Sequence, residues 1–170
     1  PVGFKLCIGI KREFIEICEA MIKTGIKPDY IAIDGGEGGT GAAPVEFSNS
    51  LGMPLLDGLA FAVDTLRGYG LKKDIRVVAS GKIISSFHIA RAMAIGADLV
   101  YSARAMMMAV GCIQALQCNT NTCPVGVATQ DRELMKGLDV EDKATRMYNF
   151  HKKTMHILSE LISATGVKSH

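Results

Sequence analysis

The chain has 170 residues, of which 48% are hydrophobic and 21% charged, and this composition indicates one folded domain of ordinary size and excludes a disordered chain. Its 19 Lys and Arg residues and 17 Asp and Glu residues give a net charge of +2, and the scattered basic residues argue against a nucleic-acid partner. No uncharged apolar run reaches the roughly 18 residues of a membrane span, and the first residues lack a signal-peptide pattern. We therefore expect a cytoplasmic protein.

Short apolar runs alternate with amphipathic segments, a pattern typical of βα units that build a parallel sheet. The pattern predicts four strands, at residues 2–8, 30–33, 75–79 and 99–102. Such short and continuously apolar strands are typical of burial on both faces, as in a parallel sheet or barrel.

Helices are predicted after each strand from apolar residues at helical spacing and from glycines at the helix ends. A polar loop is predicted at 117–130, between the last two helices. The predicted helices are one around 14–22 that ends at Gly25, one around 55–66 that ends at Gly68, and three more at 86–95, 105–116 and 140–164.

Five cysteines, an odd number without a secretory context, argue against a disulfide framework. Cys7, in the first strand, and Cys18, in the first helix, are interpreted as buried core thiols. Cys112, Cys118 and Cys123 form a C-x5-C-x4-C pattern on a loop rich in Asn and Thr, which suits an iron-sulfur cluster. The missing fourth cysteine favours a three-iron cluster or one with an open iron. Zinc and a metal-free loop remain the alternatives, although zinc usually takes closer cysteine pairs.

The second strand leads into a loop with five glycines within residues 34–43. Glycine at this density permits positive φ angles and close approach of the backbone to a flat or anionic ligand. The alternative is a flexible surface loop. The spacing does not match the G-x-G-x-x-G fingerprint of dinucleotide-binding proteins.

Two later strand ends carry a small hydroxyl residue followed two positions on by a base. These turns are Ser80-Gly81-Lys82 and Ser102-Ala103-Arg104. The loops after the last two strands of a β/α barrel commonly bind a phosphate, so the two turns together predict a phosphate cradle. Taken singly, each serine is also explained as a helix cap.

Lys5 lies inside the apolar first strand. Burying its ammonium without a partner is costly, so the side chain must either extend to solvent or find an anion. The functional interpretation is a cation at the mouth of a binding site.

Five segments carry a resemblance to a known family: PVGFKL, IDGGEGGTGAAP, VVASGKI, GADLVYSARAMMMAVGC and NTCPVGVATQ. The chain resembles the FMN-binding synthase domain of glutamate synthase and most closely its stand-alone relatives, from Pro1 to about Gly166. The resemblance implies an α/β fold that is the second half of a (β/α)8 TIM barrel, about four βα units, with a C-terminal cysteine loop and helix. Residues 1–105 would form the barrel half, 106–130 the cysteine loop and 131–170 a C-terminal helical segment. Pro1 would then lie at a cut through the barrel, with two open sheet edges.

The resemblance also implies a cofactor set, which is FMN and a 3Fe-4S cluster. In the family, ammonia adds to 2-oxoglutarate, and 2-iminoglutarate is reduced to glutamate with electrons that pass through iron-sulfur centres. Implied partners are 2-oxoglutarate, ammonia or glutamine, an electron-donor protein or subunit, and the missing N-terminal half of the barrel. The resemblance implies that Lys5 lies against the flavin and the substrate and is the catalytic residue, with Gly38, Gly39 and Thr40 beside the flavin. The residues implied around the FMN phosphate are Ser80, Gly81, Ser102, Ala103 and Arg104. The implied cluster ligands are Cys112, Cys118 and Cys123.

Two departures from the family pattern stand out. Ser85 or Ser86 occupies the place of a family glycine after the Ser80-Gly81 turn, and Gly36-Glu37 replace the His-Asp pair of longer members. Two other functions remain open: an FMN and iron-sulfur electron-transfer module without turnover, and a related FMN-dependent dehydrogenase with a different substrate. We expect the isolated piece to be inactive.

Overall fold

The computed structural model of the chain describes residues 1–38, 43–44, 46–47 and 49–167. Its four strands form one parallel sheet in the order β1-β2-β3-β4, which confirms the α/β class and the parallel sheet. The elements are β1 (Gly3–Leu6), α1 (Lys11–Thr24), β2 (Tyr30–Asp34), α2 (Leu55–Gly68), β3 (Arg76–Ser80), α3 (Ser86–Ile95), β4 (Leu99–Tyr101), α4 (Ala103–Val110), α5 (Arg132–Met135) and α6 (Val140–Ala164).

The two faces of the sheet differ in what covers them. Side chains alternate between faces along a strand, so every second residue of β2 and β3 points the same way. Ile31, Ile33, Val77 and Ala79 pack with the apolar faces of the helices in one core cluster. The alternate residues, including Lys5 in register with Ala32, point to the opposite face. This second face carries the buried Ala32 and Val78 and, toward the strand ends, the polar side chains of Asp34 and Ser80.

Burial on both faces is confirmed for β2 and β3 and is wrong for β1 and β4. The middle three residues of each inner strand are buried, whereas β1 and β4 contain no fully buried residue. Leu99 in β4 is 59% exposed. Both strands lie at the edges of the described sheet, so each lacks a neighbour on one side, a condition that apolar composition does not encode.

The helix ends follow the glycine signals. Gly25 takes a φ of 71° and donates its N–H to the Met21 carbonyl, which closes α1. Helix α3 begins and ends as predicted, with Ser85 accepting a hydrogen bond from the N–H of His88. The prediction of a helix to residue 116 is wrong, because Gly111 adopts a φ of 111° and ends α4 at Val110.

The two cysteines interpreted as core thiols have different outcomes. Cys18 is fully buried between helices, and burial together with the neighbouring Glu19 carboxylate raises its pKa to about 11. Cys7 is exposed, so its core assignment is wrong. It follows the edge strand β1, where no further strand of the described chain covers it.

Helix α6 packs against α3 and α4 and matches its predicted bounds. Asp139 caps it by accepting the N–H of Asp142, and Leu158 enters the core. Ser86, one of the two serines expected near the place of a family glycine, is buried and donates its hydroxyl to the Thr154 carbonyl at 2.8 Å. The serine thus ties α6 to the start of α3. No helix in the described ranges is long and apolar enough to cross a membrane.

Candidate functional site

A cavity of about 240 Å³ opens at the carboxyl ends of the four strands. Parallel strands end at the same edge of a sheet, and α/β proteins commonly bind ligands there. Seven of its lining residues were proposed from the sequence as cofactor or phosphate contacts, and Asp34 and Tyr101 were not. The lining residues are Lys5, Asp34, Gly38, Ser80, Gly81, Lys82, Tyr101, Ala103 and Arg104.

Strand register explains why residues far apart in sequence meet at this cavity. Asp34 pairs with Ser80, and Ser80 pairs with Tyr101, so these three form one row across β2, β3 and β4. Lys5 is in register with Ala32, which lies two residues before Asp34 and shares its face. The row therefore points away from the helices and into the cavity.

Lys5 and Asp34 form an ion pair across β1 and β2. The Lys5 Nζ donates to Asp34 Oδ2 at 2.9 Å. The Asp34 side chain is only 22% exposed, whereas that of Lys5 is 57% exposed. Lys5 thus satisfies its charge through a partner in the chain and still presents N–H donors to the opening.

The cavity carries an excess of positive charge. Lys5, Lys82 and Arg104 line it, against the single carboxylate of Asp34. Lys82 donates to the Asn49 amide oxygen at 2.6 Å, and Arg104 has no ion pair within the part of the chain that the structure describes. Three cations around a small cavity favour an anionic ligand, and a guanidinium offers paired donors suited to phosphate.

Two glycines bring the backbone close to the cavity. Gly81 has a φ of 136°, and a β-carbon there would lie 3.1 Å from the backbone nitrogen of Gly35. A β-carbon on Gly38 would lie 2.6 Å from Asp34 Oδ1. A side chain at either position would crowd the backbone of Gly35 or the Asp34 carboxylate.

Three residues proposed from sequence are not among the cavity lining. Ser102 donates its hydroxyl to the Ile83 carbonyl at 2.8 Å, so it fastens the loop after β3 to the start of α4. Gly39 and Thr40 lie outside the described residues.

Sequence reasoning missed Asp34 and Tyr101 as cavity residues. Each is the last residue of its strand, a position that could have identified it. Their meeting depends on cross-strand register, which a single strand does not reveal.

The cysteine loop places its three thiols in different surroundings. Cys123 is buried, Cys112 is half-buried and accepts the N–H of Gln114 at 3.4 Å, and Cys118 is exposed. Hydrogen bonds from backbone N–H groups, that of Ala128 first and then those of residues 125–127, outweigh burial and lower the pKa of the Cys123 thiol. Cys123 is therefore the thiol best prepared to be a thiolate ligand.

The donor types of this loop suit an iron-sulfur cluster, which takes thiolate ligands. Across residues 1–38, 43–44, 46–47 and 49–167, no group of three His, Cys, Asp or Glu side chains could hold a single metal ion. The loop is held by its own polar groups, with Thr129 and Gln130 donating to Asn121 at 2.6 Å each. The three cysteines of the predicted ligand set thus lie on one loop and form no single-ion site there.

The fold and cavity define an α/β protein with a cation-rich cavity at the carboxyl end of its parallel sheet. Comparison with known protein families identifies the family of the chain. The chain belongs to the family described as the conserved region in glutamate synthase, whose model matches residues 1–168.

Individual relatives agree with this assignment. The chain is 46% identical over 169 residues to the glutamate synthase large subunit-like protein YerD of Bacillus subtilis, covering 99% of this chain and 32% of that protein. It is 43% identical over 141 residues to the archaeal glutamate synthase (NADPH) of Methanocaldococcus jannaschii, covering 83% and 28%. A ferredoxin-dependent glutamate synthase of Arabidopsis thaliana is 42% identical over 106 residues, covering 62% and 6%. The chain thus spans about a third of the length of the first two relatives.

Proposed function

We propose that the chain is the cofactor-bearing part of a glutamate synthase-type oxidoreductase, with FMN held through its phosphate in the strand-end cavity. The single observation that carries this proposal is the meeting of Lys5, Gly81 and Arg104 at one cation-rich cavity. Membership of the glutamate synthase family and the names of the relatives support the reaction class.

The phosphate end of FMN suits the wall formed by the ends of β3 and β4. A phosphate group carries nearly two negative charges, which Arg104 and Lys82 would balance, while Gly81 lets the backbone approach it. The cavity of about 240 Å³ is smaller than the roughly 300–1,000 Å³ of complete ligand sites. The remainder of the ligand would therefore contact the other half of a β/α barrel, contributed by the rest of the protein.

Lys5 is the residue we assign to the reaction. Its ammonium would donate to a carboxylate of 2-oxoglutarate or to the flavin, while Asp34 holds it in place at 2.9 Å. Addition of ammonia to the substrate carbonyl, with loss of water, gives 2-iminoglutarate. Reduced FMN, when bound, supplies the electrons that convert this imine to glutamate. The contribution of the chain is to bind, orient and neutralise charge.

We propose that Cys112, Cys118 and Cys123 hold a 3Fe-4S cluster, which when bound supplies one-electron transfer. The number of thiols and the backbone N–H groups around Cys123 support this assignment. Metal binding and the folding of this loop would be coupled.

The test uses the full-length protein reconstituted without oxygen with FMN, iron and sulfide. With a chemical reductant, 2-oxoglutarate and ammonium, the protein should produce glutamate, and K5M should lower the rate with FMN still bound. Bound FMN without product would favour an electron-transfer module, and reduction of another 2-oxo acid instead would favour a different dehydrogenase. Either result would contradict the proposed reaction.

A further inference from the structure

Glu37 lies in the glycine-rich loop, yet its side chain acts at the start of α2. Both of its carboxylate oxygens accept the backbone N–H of Leu55 at 3.0 Å. Leu55 is the first residue of α2 and follows Pro54, which provides no side-chain cap. The first N–H groups of a helix lack partners within the helix, and a negative charge is favoured there. Glu37 therefore caps α2 from 18 positions earlier in the chain.

The loop around Glu37 is fixed on both sides by main-chain hydrogen bonds. Gly35 donates to the Ser80 carbonyl at the end of β3 at 2.8 Å, and Gly36 donates to the Met53 carbonyl at 2.9 Å. A β-carbon on Gly35 would lie 2.7 Å from the Leu55 backbone nitrogen. The glycines thus let the loop lie directly against the helix start, where the Glu37 carboxylate closes the contact.

The residue after Glu37 belongs to the cavity. Gly38 lines it and donates its N–H to the Gly35 carbonyl at 2.8 Å. Gly38 also packs against Asp34, the partner of Lys5. A displacement of Glu37 would therefore shift the wall that holds the Lys5–Asp34 pair.

We infer that Glu37 is a positioning residue: by capping α2 it holds the glycine-rich loop against the helix and sets the cavity's affinity for a phosphate-bearing ligand. The identity of that ligand as FMN rests on the proposed function. The positioning role itself rests on the Leu55 contact and on the place of Gly38 in the cavity wall.

The experiment compares E37A and E37Q with E13A in the full-length protein. Glu13 is a matched control, because it is an exposed carboxylate in the first turn of α1, and Ile10 at the start of that helix has no side-chain cap. Three quantities are measured: amide hydrogen exchange at Leu55 and at 35–38, the Kd for FMN, and the Kd for inorganic phosphate.

We expect E37A to speed exchange at Leu55 and at 35–38 and to raise both Kd values about tenfold, the effect of losing one charge-assisted hydrogen bond. E37Q keeps one acceptor oxygen and should restore part of both effects, while E13A should change neither. Faster exchange with both Kd values unchanged would overturn the inference, because Glu37 would then be only a helix cap.

The two probes separate this inference from the proposed function. If the unaltered protein binds phosphate but not FMN, the FMN assignment fails. In that case a raised phosphate Kd in E37A still supports the positioning role, and an unchanged one overturns it.

Discussion

The strand-end cavity and the cysteine loop are both made of residues that sequence patterns single out, but they differ in how the chain assembles them. At the cavity, Lys5 of β1, Ser80 at the end of β3 and Arg104 of α4 come from separate parts of the chain and line one space. On the loop, Cys112, Cys118 and Cys123 lie within 12 residues and form no site for a single metal ion. The cavity is therefore assembled by contacts between distant segments, whereas the cysteine loop is one short segment.

The difference follows from what fixes each backbone. Paired strands set the heights of Asp34, Ser80 and Tyr101 through main-chain hydrogen bonds that need no ligand. The cysteine loop has no such ladder, and Gln114 and Leu116 adopt positive φ angles between its first two cysteines. The site on the sheet is thus formed by the fold, whereas the conformation of the cysteine loop would be coupled to metal binding.

The largest expected effect concerns the cysteine loop. In the full-length protein reconstituted with iron and sulfide, C118S should abolish the EPR signal of a three-iron cluster, because a three-thiol site has no spare ligand. C7S is the control, since Cys7 is also exposed but lies after β1. An unchanged EPR signal in C118S would refute the assignment of Cys118 as a cluster ligand, and the loop could then not be treated as a second site.

Replacing Arg104 tests FMN binding at the cavity without changing the cysteine loop. R104A should weaken FMN binding roughly tenfold to a hundredfold, the range for losing hydrogen bonds to a charged group. R91A removes an exposed guanidinium from α3 and should leave the Kd unchanged. Equal losses in the two variants would show that general positive charge, not the cavity, attracts the cofactor.

Replacing Gly81 tests whether its positive φ angle contributes to the stability of the protein. G81A places a side chain at a φ of 136° and should destabilise the full-length protein by about 1–3 kcal/mol in urea unfolding. G68A is its control, because Gly68 ends α2 with nothing within 4 Å of an added β-carbon. Similar losses in both variants would mean that the conformation of Gly81 is not the cause.

Replacing Asp98 tests whether the hydrogen bonds of its carboxylate with Lys72 and Val77 stabilise the sheet. Burial opposes its ionisation, but hydrogen bonds from Lys72, the Val77 N–H and Arg76 prevail and lower its pKa. Since the folded-state pKa lies below the unfolded one, this stabilisation is present above about pH 4 and is lost as the pH falls through the folded value.

D98N should therefore cost about 1–2 kcal/mol in the free energy of unfolding at neutral pH, and the difference from the unaltered protein should shrink below about pH 4. D64N is the control, because Asp64 lies on the surface of α2, its carboxylate is 76% exposed, and its ion pair with Arg67 measures 3.5 Å. A difference independent of pH would show that the Asp98 charge does not stabilise the sheet.

Local signals in the sequence predicted most of the elements. Apolar spacing predicted the observed bounds of α6, and spacing together with the terminal Gly96 predicted those of α3, because helix caps depend on adjacent residues. The end of α4 was missed although Gly111 marks it, since the apolar pattern continues to Leu116. The short helix α5 was also missed, because its cap at Asp131 lies at the edge of a polar loop.

Contacts between distant segments could not be predicted in this way. The Lys5–Asp34 pair and the Glu37–Leu55 cap depend on register and loop path, and neither leaves a periodic signal. Exposure of Cys7 depends on its lying after an edge strand, which composition does not reveal. The sequence therefore identified the strand ends as the site but not the partners that position its charges.

The central claim is that the strand-end cavity binds FMN through its phosphate, and the most direct measurement compares the Kd of FMN with that of riboflavin in the full-length protein. Riboflavin has the same ring and lacks the phosphate. We expect FMN to bind at least about a hundredfold more tightly, with R104A removing most of that difference. Equal Kd values for the two flavins would contradict the assignment of the cavity to the phosphate.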